Sequence, residues 1–421
     1  MKVTVVGGGS TYTPELVDGI ARLRNQVEVD QLVLCDPDSA RLEPVAGISR
    51  RIAGRHRWTG ELTATSDLHA ALDGADFVLL QLRIGGQAAR YLDETLPLRC
   101  GCVGQETTGA GGFAKALRTV PVVLDIAHEV QRRAATDAWI IDFTNPVGIV
   151  TRALLDHGHR AVGLCNVAIG FQLLFASWLG AEAKDVRLGH AGLNHLTWIR
   201  SVHVGGGDDV LPKLIDERGD QLADRVGMPL RLLQTLGAVP SYYLRYFYQH
   251  DAVVGEQTGQ RTRAEEVTDI EHELLEIYRD LTVDSKPELL VRRGGAFYSE
   301  AAVQLLASLW NDTGDVQVVD VRNNGALPEL PDDAVVEVPC TINRSGATPV
   351  VPTGLHRATG GLVGAVATYE RLAAEAAVTG NRETAFLALL AHPLISQIKP
   401  AEQLLDDLLV ANAAHLPRFQ V

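Results

Sequence analysis

Across the first 165 residues, short apolar runs alternate with stretches whose apolar positions recur at helical spacing. Residues 2–6 form a β-branched run, 7–10 a glycine turn, and 14–24 a helical pattern. A second apolar run, 31–35, ends at Asp36. Further strands are predicted at 77–82, 139–143 and 161–164, with a helix over 114–133, and the last strand is expected to end the sheet at Cys165. Such alternation predicts an α/β fold built on a doubly wound parallel sheet of the Rossmann kind. Beyond it, a strand-like stretch at 186–200, helices at 263–281 and 299–310, a strand at 335–343 and an Ala/Leu-rich helical stretch at 360–390 predict a mixed α/β region. The expected division is a nucleotide-binding domain over 1–165 and a second domain over 166–421, as in lactate and malate dehydrogenases. No repeat or low-complexity linker separates them, so they should share a cleft.

A chain of 421 residues with 46% hydrophobic and 21% charged residues can bury two substantial cores. The formal net charge of -14 argues against general binding to nucleic acid or anionic membranes, both of which repel such a surface. An anionic ligand therefore needs a local cluster of basic side chains. The N-terminal apolar run is broken by glycines before a leader core could develop, and no apolar stretch reaches membrane-spanning length, which predicts a soluble, cytoplasmic protein. The odd number of cysteines, five, without a secreted-type spacing, fits a reducing compartment.

In VVGGGSTYTPE, Gly7 and Gly9 stand where a dinucleotide fingerprint has its first two glycines, after a strand and before a helix. Small residues there let the backbone, with Ser10, approach a pyrophosphate at the helix N-terminus. The third fingerprint position is Tyr12. Asp36, ending the second strand, can accept hydrogen bonds from an adenosine ribose and repels a 2′-phosphate, which favours NAD over NADP. Asp36 also opens a DPDS turn, a purely structural use of the same carboxylate.

Polar, glycine-rich blocks follow: IGGQAARYLDE at 84–94, GQETTGAGGFAKALRTVP at 104–121 and DFTNPVG at 142–148. Loops of this kind at strand ends carry the chemistry of α/β enzymes. Asn145 precedes Pro146 at the end of a strand and should project from the sheet's carboxyl edge, although Asn-Pro also starts ordinary turns. Cys165 and Asn166 end another strand, and His195 follows Asn194 in AGLNHLTW. A thiolate and an imidazole from two segments suit a borderline divalent metal with open positions for substrate oxygens; packing of the thiol and a core histidine are the alternative. The segment PSYYLRYFYQH gathers tyrosines, and a tyrosine serves as a base where cations lower its pKa. Arg292 and Arg293 precede glycines, a setting for gripping a phosphate or carboxylate.

Taken together and in order, GQETTGAGGFAKALRTVP, DFTNPVGIVT, GLCN, GLNH, PSYYLRY and RRGGAFYSEAA resemble the NAD- and metal-dependent glycoside hydrolases of family 4, with the CN pair resembling the 6-phospho-β-glucosidase branch. The resemblance runs from VVGGGSTYTPELVDGI to ATPVVPTGL and LLALLAHPL. It implies Cys165 and His195 as ligands of a divalent metal, usually Mn²⁺. It implies Tyr243, which precedes Leu-x-Tyr, as the base that removes the sugar C2 proton after transient oxidation at C3 by NAD⁺. Elimination at C1, water addition and return of the hydride then complete hydrolysis, so the cofactor is regenerated; family 4 is a recognised NAD-dependent exception to two-carboxylate catalysis. Arg90, Asn145 and Arg293 match substrate-holding positions. Asn166 stands where maltose-phosphate relatives carry an acidic donor; an amide hydrogen-bonds the sugar instead and leaves the general acid unassigned. The family habit implies a homodimer or homotetramer acting on a small phosphorylated sugar.

Three other readings stay open on the residues alone. A 2-hydroxy-acid dehydrogenase would share the glycine turn and the TNP setting of Asn145. A nucleotide-sensing protein would keep the fold without turnover. Within the family, unphosphorylated α-galactosides or glucuronides use the same chemistry, since Arg90 and Arg293 favour an anion of either kind.

Overall fold

The computed structural model describes residues 1–294, 297–350 and 354–419. Its main sheet contains β1 (Lys2–Val6), β2 (Gln31–Cys35), β3 (Glu61–Thr65), β4 (Phe77–Leu80), β5 (Trp139–Asp142), β6 (Ala161–Gly163), and three late strands. These are β10 (Asp315–Arg322), β11 (Val335–Asn343) and β12 (Gly346–Pro349). A smaller sheet is made of β7 (Val186–Leu193), β8 (Leu196–Val204) and β9 (Val239–Pro240).

Strand order in the main sheet is β12-β11-β10-β6-β5-β4-β1-β2-β3. From β6 to β3 every pairing is parallel. This is the doubly wound dinucleotide order, in which the winding reverses between β1 and β4 and opens a crevice at the carboxyl ends of the strands. β1 is buried from Val3 onward and β4 along its whole length, as parallel strands are when helices cover both faces.

The sheet does not end at Cys165. β10 runs antiparallel to β6 with Asp320 opposite Gly163, and β11 and β12 extend the sheet further. The residues at 335–343 read as a strand in the sequence and pair with their neighbours β10 and β12, but it is β10 that joins this hairpin to β6 far earlier in the chain, and no local pattern records that pairing. The expected single strand over 186–200 is instead a hairpin: Leu193 pairs with Leu196, and His195 takes the left-handed conformation with φ 62°. Asn-His is not a glycine turn signal, so the alternation reads through it, yet both residues tolerate tight turns better than most. The helical pattern over 360–390 breaks at Gly380, also left-handed with φ 69°, after which Asn381 caps a new helix by accepting the Thr384 N–H at 2.8 Å.

The second half of the chain folds back over the first. Ile270, Leu274 and Tyr278 of helix Arg263–Arg279 bury against Val45, Ile48 and Ile52 of helix Ser39–Arg55. The Tyr278 hydroxyl donates to the Thr11 carbonyl at 2.6 Å, tying that helix to the glycine turn. β7 packs against β11, which brings the hairpin tip beside the end of β6. Among the described residues no helix is long and apolar enough to cross a membrane.

Candidate active site

The crevice above β1, β2, β4 and β5 is a cavity of about 540 Å³ lined by Gly7, Gly9, Ser10, Asp36, Asn145 and Arg293, together with Tyr12, Gln81, Arg83 and Lys115. Gly7 has φ +89°, and a Cβ on it would stand 2.5 Å from the Gln81 carbonyl oxygen, so no side chain fits the turn there. Gly9 is pinned by its N–H, which donates to Asp36 Oδ2 at 2.9 Å; a Cβ would meet that carboxylate at 2.9 Å. Asp36 Oδ1 accepts from the Asp38 N–H at 3.0 Å. Asp36 therefore opens the DPDS turn and braces the glycine turn while facing the cavity.

Several polar atoms around this cavity are buried without a partner: the Tyr12 hydroxyl, Gln81 Oε1, both amide atoms of Gln87 and Asn145 Oδ1. Such atoms cost free energy unless a ligand or water completes them, and their convergence on one cavity fits a polar occupant.

At the inner end, Glu106 is shared by three cations. It pairs with Arg83, with Lys115 at 2.7 Å and with Arg90 at 3.3 Å, while Arg90 also holds Glu94 at 2.7 Å. Three cations on two carboxylates leave positive charge in a chain that is negative overall. Burial raises the Glu106 carboxyl, but Arg83, Lys115 and Arg90 outweigh it and hold the group well below the usual range. Lys115, buried and close to Arg83, is pulled down to about 8 despite its bond to Glu106. Arg293 leans on the glycine turn, donating to Thr11 Oγ1 at 2.8 Å and facing Glu271 at 3.3 Å. Of the glycines that follow Arg293, Gly295 lies outside the described residues, as do 351–353 of the ATPVVPTGL segment.

His195, Tyr243 and Cys165 come together beside this end. The imidazole of His195 stacks on the Tyr243 ring with centroids 3.7 Å apart and planes 7° from parallel. The hairpin turn presents His195, and the helical turn Tyr242–Leu244 presents Tyr243, with Ser241 bonded through its N–H to the Thr197 carbonyl at 2.9 Å. Tyr242 points elsewhere: it is exposed and its hydroxyl accepts from Arg245 at 2.7 Å.

The hydrogen bonds of Thr107 fix the tautomer of His195. Gln105 Oε1 accepts the N–H groups of Thr107 and, at 3.2 Å, Thr108, so that atom is an oxygen. The Thr107 hydroxyl, 2.9 Å away, donates to it and therefore accepts from His195 Nδ1–H at 3.1 Å. Nε2 is left with a free lone pair, the state a metal ligand needs. Burial pulls the imidazole down to about 4, so it is neutral at physiological pH.

Cys165 lies at the start of helix Asn166–Leu179, where its sulfur makes no capping hydrogen bond, and the nearby Val167 N–H and Asn194 amide only partly favour its thiolate. Burial, then Glu337 and Asp320, push its thiol well above the normal value, so it stays protonated until a cation offsets those charges. Tyr243 is likewise held high by burial and then by Cys165. Soft thiol, bare imidazole nitrogen and nearby phenol form a donor set that fits a borderline divalent cation. Asn166, the first residue of that helix, is partly buried.

Sequence reading singled out neither Arg83, Glu106, Thr107 and Lys115 nor Asn194, Tyr298 and Glu337, although all surround this site. Glu106, Thr107 and Lys115 lie inside the polar block at 104–121. Glu337, by contrast, has a clear signal of its own, a lone acid within the apolar strand VVEVPCTIN.

A cavity at the switch point of a doubly wound sheet, lined by buried polar atoms without protein partners, belongs to the class of nucleotide-binding α/β enzymes. Residues 2–181 match the family 4 glycosyl hydrolase model and 190–395 match the family 4 glycosyl hydrolase C-terminal domain. The chain belongs to glycosyl hydrolase family 4. It is 38% identical to a probable 6-phospho-beta-glucosidase of Bacillus subtilis over 100% of this chain and 98% of that protein. The structure of the 6-phospho-beta glucosidase from Thermotoga maritima with manganese, NAD+ and glucose-6-phosphate is similar with a TM-score of 0.93 at 35% identity, covering 99% of both chains. Malate dehydrogenase from Salinibacter ruber shares the fold alone, with a TM-score of 0.55 at 17% identity over 91% of this chain and 99% of that one.

Proposed function

We propose that this enzyme hydrolyses 6-phospho-β-glucosides with NAD⁺ and a divalent metal, Mn²⁺ foremost. The observation that carries the reading is the stacked His195–Tyr243 pair beside Cys165, at the inner end of a cavity that begins at the glycine turn. Full-length likeness to 6-phospho-β-glucosidases supports both the phosphorylated substrate and the β anomer.

Gly7, Gly9, Ser10 and Asp36 would hold NAD⁺, and Cys165 and His195 the metal. When bound, NAD⁺ supplies a reversible hydride acceptor and the metal a Lewis acid. Tyr243 takes the proton from C2 of the sugar at its phenolic oxygen. Its high resting pKa keeps the phenol protonated until positive charge joins Cys165 and relieves the negative charge beside it. Asn145 offers its unpartnered Oδ1 to a sugar hydroxyl, and Asn166 a second amide. Arg90 and Arg293 hold the anionic end of the substrate, with Arg83 and Lys115 adding positive charge around Glu106. The malate-type reading lacks support in a site whose histidine is neutral, stacked on a phenol and bonded to a threonine instead of a carboxylate.

Hydrolysis of p-nitrophenyl β-glucoside 6-phosphate is expected only with NAD⁺, Mn²⁺ and a thiol reductant, with no activity on the plain glucoside or the α anomer. Steady NADH production from malate or lactate, indifferent to chelator, would overturn the proposal. The enzyme is further read as a cytoplasmic homodimer or homotetramer; its five free thiols suit a reducing compartment, and sedimentation would give the subunit number.

A further inference from the structure

Behind the Cys165 and His195 pair lies a hydrogen-bonded line that no step of the proposed reaction uses. Asn194, the residue before His195 at the hairpin tip, donates from Nδ2 to Glu337 Oε2 at 3.0 Å. That bond ties the hairpin tip to β11, in the same sheet whose β6 runs up to Cys165. The second oxygen of Glu337 lies 2.8 Å from His190 Nε2, and both residues are fully buried. The backbone explains the convergence: Gly163, Asp320 and Glu337 lie in one row across β6, β10 and β11, directly below the loop that carries Cys165, and β7 brings His190 against the same row.

An asparagine amide has only two N–H groups. Spending one of them on the buried Glu337 carboxylate fastens the β7–β8 turn, which carries His195, to the sheet whose β6 leads into Cys165, two segments that otherwise carry the pair independently. A cation bound between these segments needs their spacing held to a few tenths of an ångström.

We propose that Glu337 is a positioning residue for the metal-ligand pair: through Asn194 it fixes the hairpin tip that bears His195 against the sheet whose β6 leads into Cys165, with His190 holding the carboxylate from behind. The proposal rests on the metal reading of Cys165 and His195. Removing the clamp leaves both ligands in place but lets them drift apart, so metal affinity falls while the dinucleotide cavity, on the far side of β1 and β4, keeps its shape.

The test uses the full chain and two readouts, Mn²⁺ affinity by titration and the thiolate-to-cobalt charge-transfer absorption of the Co²⁺ form. Glu337→Met removes both acceptors at similar volume, Asn194→Ala removes the bridge, and Glu337→Gln keeps one acceptor for Asn194. Asn194→Ala and Glu337→Met should bind Mn²⁺ roughly 10- to 100-fold more weakly and lose most of the cobalt band, with NAD⁺ affinity unchanged. Glu337→Gln should recover most of the affinity. Should Glu337→Met fail to fold, Asn194→Ala alone decides. An unsubstituted protein with the cobalt band, whose Asn194→Ala variant keeps band and Mn²⁺ affinity intact, overturns the clamp. An unsubstituted protein without the band overturns the metal reading itself, and the clamp with it.

Discussion

His195 and Tyr243 lie face to face, 3.7 Å between ring centroids. Stacking excludes water from both rings and ties the position of the phenol to that of the metal-binding candidate. Tyr243→Phe keeps the stack and deletes only the hydroxyl. It should bind Mn²⁺ and NAD⁺ as the parent does but lose exchange of the sugar C2 hydrogen with deuterated water by roughly 100-fold or more. Mass spectrometry of recovered substrate measures this, and exchange at the parent rate would remove Tyr243 from the role of base.

Thr107 sets which nitrogen of His195 carries the proton. Thr107→Val preserves shape but leaves Nδ1–H without its acceptor and frees the ring to adopt the other tautomer. Mn²⁺ affinity should drop roughly tenfold or more, while Thr107→Ser stays near the parent. Titration of the metal separates the two; equal affinities for both variants would show that the threonine does not govern the tautomer.

Lys115 gives the anion site a pH limit. With its ammonium at about 8 instead of 10.5, it loses charge as pH rises through 8, and the affinity for glucose 6-phosphate should fall by about tenfold between pH 7 and 9. Lys115→Arg, which stays charged, should flatten that profile. Folding responds with the opposite sign: the unfolded chain binds more protons between about 8 and 10.5, so this residue's contribution to stability improves as pH climbs across that window. Calorimetric titration at several pH values checks the binding half.

The parallel half of the fold is legible because each strand announces itself locally. β1, β2, β4, β5 and β6 are apolar runs that end in polar loops, and the crevice follows from their order. β3, with the sequence ELTAT, carries no such signal and forms because β2 offers it an edge. Nor does any local pattern show that β10 returns to β6 and brings β11 with it. Glu337 stands out in the sequence only as a lone acid in an apolar strand, and what it does with Asn194 depends on a contact between residues far apart in the chain. Cys165, His195 and Tyr243 were found as motif members, whereas the contact between His195 and Tyr243 belongs to geometry alone.

Glu370 shows what this buried acid-rich region costs. It is 6% exposed, lies against Gly148, where a Cβ would be 2.7 Å from Oε1, and has Arg152 as its nearest source of relief. Burial pushes its carboxyl from 4.5 up to about 8. An acid whose folded pKa is raised binds more protons folded than unfolded between those values, so stability present below pH 4.5 is lost as pH rises toward 8. Asp320, pushed up by burial and then by Glu337 and Glu370, loses stability in the same direction. Glu370→Gln keeps the shape and cannot ionise. It should raise stability at pH 8 by a few kcal/mol at most, with about 5 kcal/mol the ceiling set by the size of the shift, and by little at pH 5. The gain at pH 8 falls below that ceiling if Asp320 takes up the proton Glu370 had held, because neighbouring carboxyls share their protons. Urea midpoints of parent and variant at the two pH values measure the difference; a variant no more stable than the parent at pH 8 would mean that Glu370 is ionised and paired in the folded protein.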